Sequence, residues 1–263
     1  MKQVLPVLIF AIIASSFLPK QTIDKNMHSA SSLTAKKPSV ILFDVNETLL
    51  DMSPLKEKIN TVLGNKEGFR IWFGMLLQYS LVDNSTSSYH EFSAIADATL
   101  DMAAKTLGKK IKEQDKKEAL GLIKKLKAYP DVEKGLSMLK EAGYRLATLT
   151  NSASQTQMAQ LNHAGLSKYF EQTFSIDEVK KYKPALESYQ YAAKALGVNT
   201  GDMVMVAAHG WDISGALAAG MQAGFIERKG QSLYSLSPKP QYTGKDLIEV
   251  AKAIIEKETL SNE

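Results

Sequence analysis

SVILFDVNETLL, residues 39–50, decides the fold. Its first half, SVILF (39–43), is a short apolar run rich in strand-forming residues. Directly behind it come Asp44, Asn46, Glu47 and Thr48, a polar turn at the carboxyl end of a strand. Runs of the same kind recur at YRLATL (144–149), MVMVAA (203–208) and AGFIE (223–227). Amphipathic stretches at helical spacing lie around and between the later ones, over 131–142, 152–164, 184–196 and 212–219. Strand and helix alternating at this spacing predict an α/β fold, a doubly wound parallel sheet. Residues 54–128 break the rhythm: they are helical in pattern throughout, as in IWFGMLLQYSL and HEFSAIADATLDMAAKTL. They predict a helical cap domain inserted after the first strand. Tyr129-Pro130-Asp131 marks the return to the core, which then comprises 39–53 and 129–255.

The chain has 263 residues, enough for one large domain or for a core with an insertion. Its 44% hydrophobic and 23% charged residues are those of a soluble globular protein. The net charge of +4 owes much to the lysine-rich stretch 105–127, read as a solvated helix face. No aromatic residues interleave there for base stacking, so no nucleic-acid partner is expected. Cysteine is absent, which excludes disulfides, a thiolate nucleophile and cysteine metal sites. At the N-terminus, Lys2 precedes an apolar run from Val4 to Leu18, shorter than a bilayer span. Residues 1–20 read as a secretory signal peptide, with an uncleaved anchor as the alternative, and 21–38 as a flexible linker. The mature chain is therefore expected in the periplasm or outside the cell, without stable membrane insertion. A membrane tether through an uncleaved segment is the alternative.

Ligands of open parallel sheets bind outside the carboxyl ends of the strands. Four such places carry polar residues here: the turn at Asp44; Thr150, Asn151 and Ser152; Lys183 in the KKYKP turn; and His209 with Asp212 in AAHGWD. None of these is specific alone, but their appearance together is.

FDVNETLL, TLTNS, KYKP and AAHGWD, in that order, resemble the haloacid dehalogenase superfamily and, more narrowly, its type II (L-2-haloacid) dehalogenases. The resemblance covers about residues 39–253 and implies a Rossmann-like core with a helical cap. It implies that Asp44 is the nucleophile and Lys183 the cation that holds it ionised. Where phosphatases of the superfamily keep a second aspartate as acid/base, this chain has Asn46, which cannot transfer a proton in that role. A departing halide needs none, and no metal or other cofactor is expected. Asp212 is then a hydrogen-bonding carboxylate near Lys183. Thr150 and Asn151, at the start of a helix, are expected to bind the substrate carboxylate. Thr48 orients the first turn, and with Tyr189 and Trp211 it is counted on the substrate side.

Two departures from the family pattern stand out. Many members carry an arginine in the first cap helix; alignment puts Phe73 there, expected to line the halide pocket, with Arg70 one turn earlier as a substitute. Where the best-known members have asparagine and glycine, this chain has His209 and Glu47, which looks like a His/Glu variant of the family. A carboxylate beside an imidazole orients it for proton abstraction from water. With an ordinary imidazole, turnover should fall below about pH 6.5. The other histidines, His28, His90 and His163, lie in unrelated segments, so zinc is not expected. The implied activity is inverting hydrolysis of short L-2-haloalkanoic acids through an aspartyl ester, with a small halogenated acid as partner and homodimerisation left open. A phosphatase or phosphonatase-like hydrolase of the same fold is the alternative enzyme, and a binding module with a degenerate site the non-enzymatic one.

Overall fold

The computed structural model describes residues 38–260. The expected signal segment and nearly all of the linker, residues 1–37, lie outside them. Among the described residues, β1 (Val40–Phe43), β2 (Arg145–Thr150), β3 (Gln172–Ser175), β4 (Met203–Ala207), β5 (Gln222–Ile226) and β6 (Tyr242–Gly244) form one parallel sheet of order β3-β2-β1-β4-β5-β6. Every residue of β1 is fully buried, as a strand covered on both faces requires. Phe43 lies opposite Thr148 of β2 and Val206 of β4, so the residues that follow these strands emerge at one edge. The chain winds outward from β1 through β2 to β3, then returns to the other side of β1 for β4. That reversal opens a crevice at the carboxyl ends of β1 and β4.

The four strands expected from sequence are present, within a residue or two of the expected limits. β3 and β6 were not expected. In β3 only Phe174 and Ser175 are buried, and β6 has three residues, so neither carries a continuous apolar run. Both are edge strands, with one side unpaired. The helices α5 (Val132–Glu141), α6 (Ser154–His163), α7 (Leu186–Leu196), α8 (Gly210–Ala218) and α9 (Leu247–Leu260) accompany the sheet.

Between β1 and α5 stand α1 (Ser53–Leu63), α2 (Gly68–Thr86), α3 (Phe92–Thr106) and α4 (Glu113–Gly121), numbered with the rest in chain order. A 3-10 turn, Leu122–Lys125, ends the series. The lysine stretch 105–127 is thus several elements, and it is not wholly a solvated face. Lys116 is buried, with its Nζ 3.1 Å from Asp97, 3.0 Å from Asp101 and 3.3 Å from Glu113. Three carboxylates compensate its desolvation where α4 meets α3.

The helical insertion is fastened at its neck, at Ile123, whose carbonyl accepts from Gln160 of α6 (3.0 Å), and at the far end of α2. At its neck, Asp51 N donates to Lys127 O (2.9 Å) and Tyr129 N to Leu49 O (3.0 Å), an antiparallel pairing of the two connecting segments. At the far end of α2, the Asn84 side chain accepts from Tyr182 N (2.9 Å) and donates to Tyr182 O (2.8 Å). Beside it the Tyr182 hydroxyl donates to His90 O, and Tyr89 to Asp177 Oδ1 at 2.5 Å. No helix among the described residues is long and apolar enough to cross a membrane.

Candidate active site

Asp44, the first residue beyond β1, is 5% exposed and accepts from three side chains. Lys183 Nζ lies 3.0 Å from Oδ1; Thr48 Oγ1 (2.6 Å) and His209 Nδ1 (3.3 Å) approach Oδ2. Burial opposes ionisation of this carboxyl. The charges of Lys183 and His209, with hydrogen bonds from His209 and Thr48, outweigh burial and hold it well below the usual carboxylate range. Thr48 is fully buried, and its hydroxyl also accepts from Ala208 N (3.0 Å), tying the first turn to the end of β4. It therefore orients Asp44. Arg228 braces the same turn, donating to Thr48 O (3.0 Å) while pairing with Asp131 (2.8 Å).

Lys183 Nζ donates also to Leu149 O (2.9 Å) and to Asp212 Oδ2 (2.6 Å). Burial works against its charge, but Asp212 and Asp44 raise its pKa overall. Asp212 thus stands beside Lys183, as expected of it. Tyr189 is fully buried and donates to Asp212 Oδ1 at 2.6 Å, so it supports that carboxylate. Gly215 makes this possible: a Cβ there would come within 2.5 Å of Pro184 and of the Tyr189 hydroxyl. Asn151 bears on the lysine as well. Its Oδ1 accepts from Lys183 N (2.9 Å) and its Nδ2 faces Lys183 O (3.4 Å), so it clamps the backbone that carries the lysine. Thr150 accepts from Ser152 N (3.2 Å), capping the turn after β2. Both ends of the Asn151 amide and the Thr150 hydroxyl thus make contacts within the protein, beside Lys183 at the carboxyl end of β2.

His209 precedes α8 and lies between two carboxylates. Its Nε2 is 2.9 Å from Glu47 Oε2, opposite the contact of Nδ1 with Asp44. Burial disfavours the imidazolium, but hydrogen bonds to Asp44 and Glu47 outweigh it and raise the pKa to about 9. That lies above the ordinary imidazole value of 6.5. Glu47 has φ 58°, a left-handed conformation that suits glycine and is unfavourable for other residues by about 1–2 kcal/mol. Gln231 Nε2 lies 3.2 Å from the same Glu47 oxygen and helps fix it. The Trp211 ring stacks on the imidazole at 5.1 Å and Phe73 at 6.2 Å. Trp211 Nε1 is buried with no hydrogen-bond partner among the described residues.

A cavity of about 830 Å³ lies between the inserted helices and the carboxyl edge of the sheet. Phe73, Asn46, Ser152 and Trp72 are among its walls, with Lys117 and Lys124. Phe73 belongs to both regions, lining the cavity and stacking on His209. Arg70 does not reach the site; it is exposed and paired with Glu67 at 2.7 Å, so it does not replace the missing arginine. Asn46 is held by Gln160 Nε2 (2.7 Å) and by its own bond to Ser152 Oγ (3.1 Å). Asn46 stands in place of a second carboxylate, and Asp44 and Asp212 both accept from Lys183. This donor set does not fit a magnesium ion. Gln160, Gln231, Arg228 and Asn84 were not found from sequence. The one local signal for any of them is Gln157 and Gln160, two polar residues on the buried side of α6.

Residues 38–220 match the family model described as haloacid dehalogenase-like hydrolase. (S)-2-haloacid dehalogenase 4A of Burkholderia cepacia is 31% identical over 72% of this chain and 83% of its own length. (S)-2-haloacid dehalogenase 1 of Pseudomonas sp. (strain CBS-3) is 32% identical over 75% and 88%. Among solved structures, a dehalogenase with an intermediate complex superposes with TM-score 0.74 at 29% identity, covering 80% of this chain and 94% of that one. L-2-haloacid dehalogenase from Xanthobacter autotrophicus with chloropropionic acid covalently bound shares the fold, with TM-score 0.75 at 20% identity over 82% and 98%. With the matched region spanning the sheet edge that carries Asp44, Lys183 and His209, the chain belongs to the haloacid dehalogenase-like hydrolases.

Proposed function

We propose that this protein is an (S)-2-haloacid dehalogenase, converting short L-2-haloalkanoic acids to 2-hydroxy acids with inversion. One observation carries the reading. Asp44 is ionised and held by Lys183, Thr48 and His209, while the position two residues later is an amide. A nucleophile without a partner acid suits a leaving group that departs unprotonated, as halide does. An Asp44 oxygen attacks C2 of the substrate, the carbon–halogen bond breaks and an aspartyl ester forms. Water then attacks the ester carbonyl carbon with His209 as base and Glu47 as its support. The names of the relatives agree with this substrate class. Halide release from L- and D-2-chloropropionate, with and without EDTA, tests it. Release from the L form alone, indifferent to EDTA, is expected. Magnesium-dependent phosphate release from phosphate esters, without halide release, would move the protein to the phosphatase branch. The apolar run Val4–Leu18 further supports export from the cytoplasm, which recovery of unprocessed chain in the soluble cytoplasmic fraction would contradict.

A further inference from the structure

Both ring nitrogens of His209 face carboxylate oxygens, Nδ1 at 3.3 Å from Asp44 and Nε2 at 2.9 Å from Glu47. A neutral imidazole has one N–H and would turn a lone pair toward one of these anions; an imidazolium donates to both. The resting geometry is therefore that of a cation, with no nitrogen free to accept a proton from water. We propose that alkylation of Asp44 is itself the event that turns His209 into a base: the first chemical step removes the negative charge that holds the second proton on the ring.

The inference rests on the covalent reading above. The charged and titratable groups around His209 are few among the described residues. Asp44 and Glu47 come from the turn after β1, and Lys183 pairs with both Asp44 and Asp212. Arg228 is occupied by Asp131 and the Thr48 carbonyl. From the inserted helices Phe73 faces the ring, uncharged, and Arg70 is turned to Glu67. Asp44 is thus one of two anions that contact the imidazole, and it is the one that the reaction consumes.

The proton balance follows. Attack of carboxylate on the haloacid gives ester and halide with the imidazolium unchanged. The ring, now facing a neutral ester, releases one proton to solvent. The neutral ring then takes a proton from the attacking water, the ester C–O bond on the carboxyl side breaks, and the departing alkoxide is protonated. Of the two hydrogens of that water, one ends on the hydroxy acid and one on His209, so carboxylate and imidazolium are restored together. The single net proton of the reaction leaves between the two steps, before the hydroxy acid forms.

Two measurements test this. In the first, the ring of His209 is titrated by NMR in histidine-labelled protein, with His209→Gln for assignment. In the unmodified enzyme the ring should stay protonated well above pH 7. In Asp44→Asn, which mimics the neutral ester, its midpoint should fall by at least one pH unit, a tenfold loss of proton affinity. Equal midpoints in the two proteins, or a wild-type midpoint near 6.5, would overturn the proposal. The second needs no variant: a single turnover of L-2-chloropropionate at pH 7 in weak buffer with an indicator dye. One proton per site should appear after halide and ahead of hydroxy acid. A proton appearing only after hydroxy acid means that His209 is neutral at rest and overturns the proposal. Absence of halide release from any 2-haloacid would instead defeat the dehalogenase reading, and the titration would still decide whether the charge of Asp44 controls His209.

Discussion

Three donors crowd the two oxygens of Asp44, and each is anchored elsewhere: Lys183 by Leu149 O and Asp212, Thr48 by Ala208 N, His209 by Glu47. Such anchoring fixes the carboxylate before substrate arrives, the preorganisation on which electrostatic catalysis depends. Asp44→Asn keeps the shape and should abolish halide release while leaving the circular dichroism spectrum unchanged; activity within tenfold of the parent would sink the covalent mechanism. Lys183→Ala should raise the barrier to halide release by at least about 3 kcal/mol, read as kcat/KM. A near-normal rate would mean that another cation serves Asp44. The His209 proton is held more tightly in the folded protein, with a pKa of about 9 against 6.5 for an ordinary imidazole. Its contribution to stability is complete below pH 6.5 and is lost as pH rises toward 9. That loss should be on the order of 3 kcal/mol in urea unfolding, at about 1.4 kcal/mol per tenfold change in proton affinity. In His209→Gln that part of the pH dependence should vanish. Residues at strand ends were legible because chemistry-bearing types follow short apolar runs. Gln231 and Arg228 were not: they meet Glu47 and Thr48 across 184 and 180 residues of chain, and nothing local announces such a meeting.

Among the elements, those with continuous burial were readable. β1 and β4 are apolar at every position, and α5 and α7 alternate cleanly between buried and exposed faces. β3 and β6 are half-exposed or very short, and strand pairing, not sequence pattern, makes them strands. The helical insertion was legible as helices but not in its joints. Its far joint bears on the site, because Asn84 grips both backbone groups of Tyr182, next to Lys183. Asn84→Ala removes two hydrogen bonds of about 1 kcal/mol each. Unfolding free energy should drop by about 2 kcal/mol in urea titration, and kcat for halide release should fall more than KM rises, since Lys183 loses its neighbour's restraint. An unchanged kcat would confine Asn84 to a structural role.

At the scale of the molecule, the insertion is tied both at its neck, beside Leu50 and Ala128, and 34 residues further along the chain, at Asn84. A flap held by one edge can swing; one held by more is a roof. Traffic is then expected to use the standing cavity walled by α3, α4 and the start of α6, with Lys117 and Lys124 among its lining residues. Hydrogen exchange should find α2 and the Lys183 turn opening together, at one rate, instead of α2 fluttering ahead of the core. Under a roof, departure is sieving: bulky hydroxy acids should leave more slowly than small ones, and halide, the smallest passenger, first.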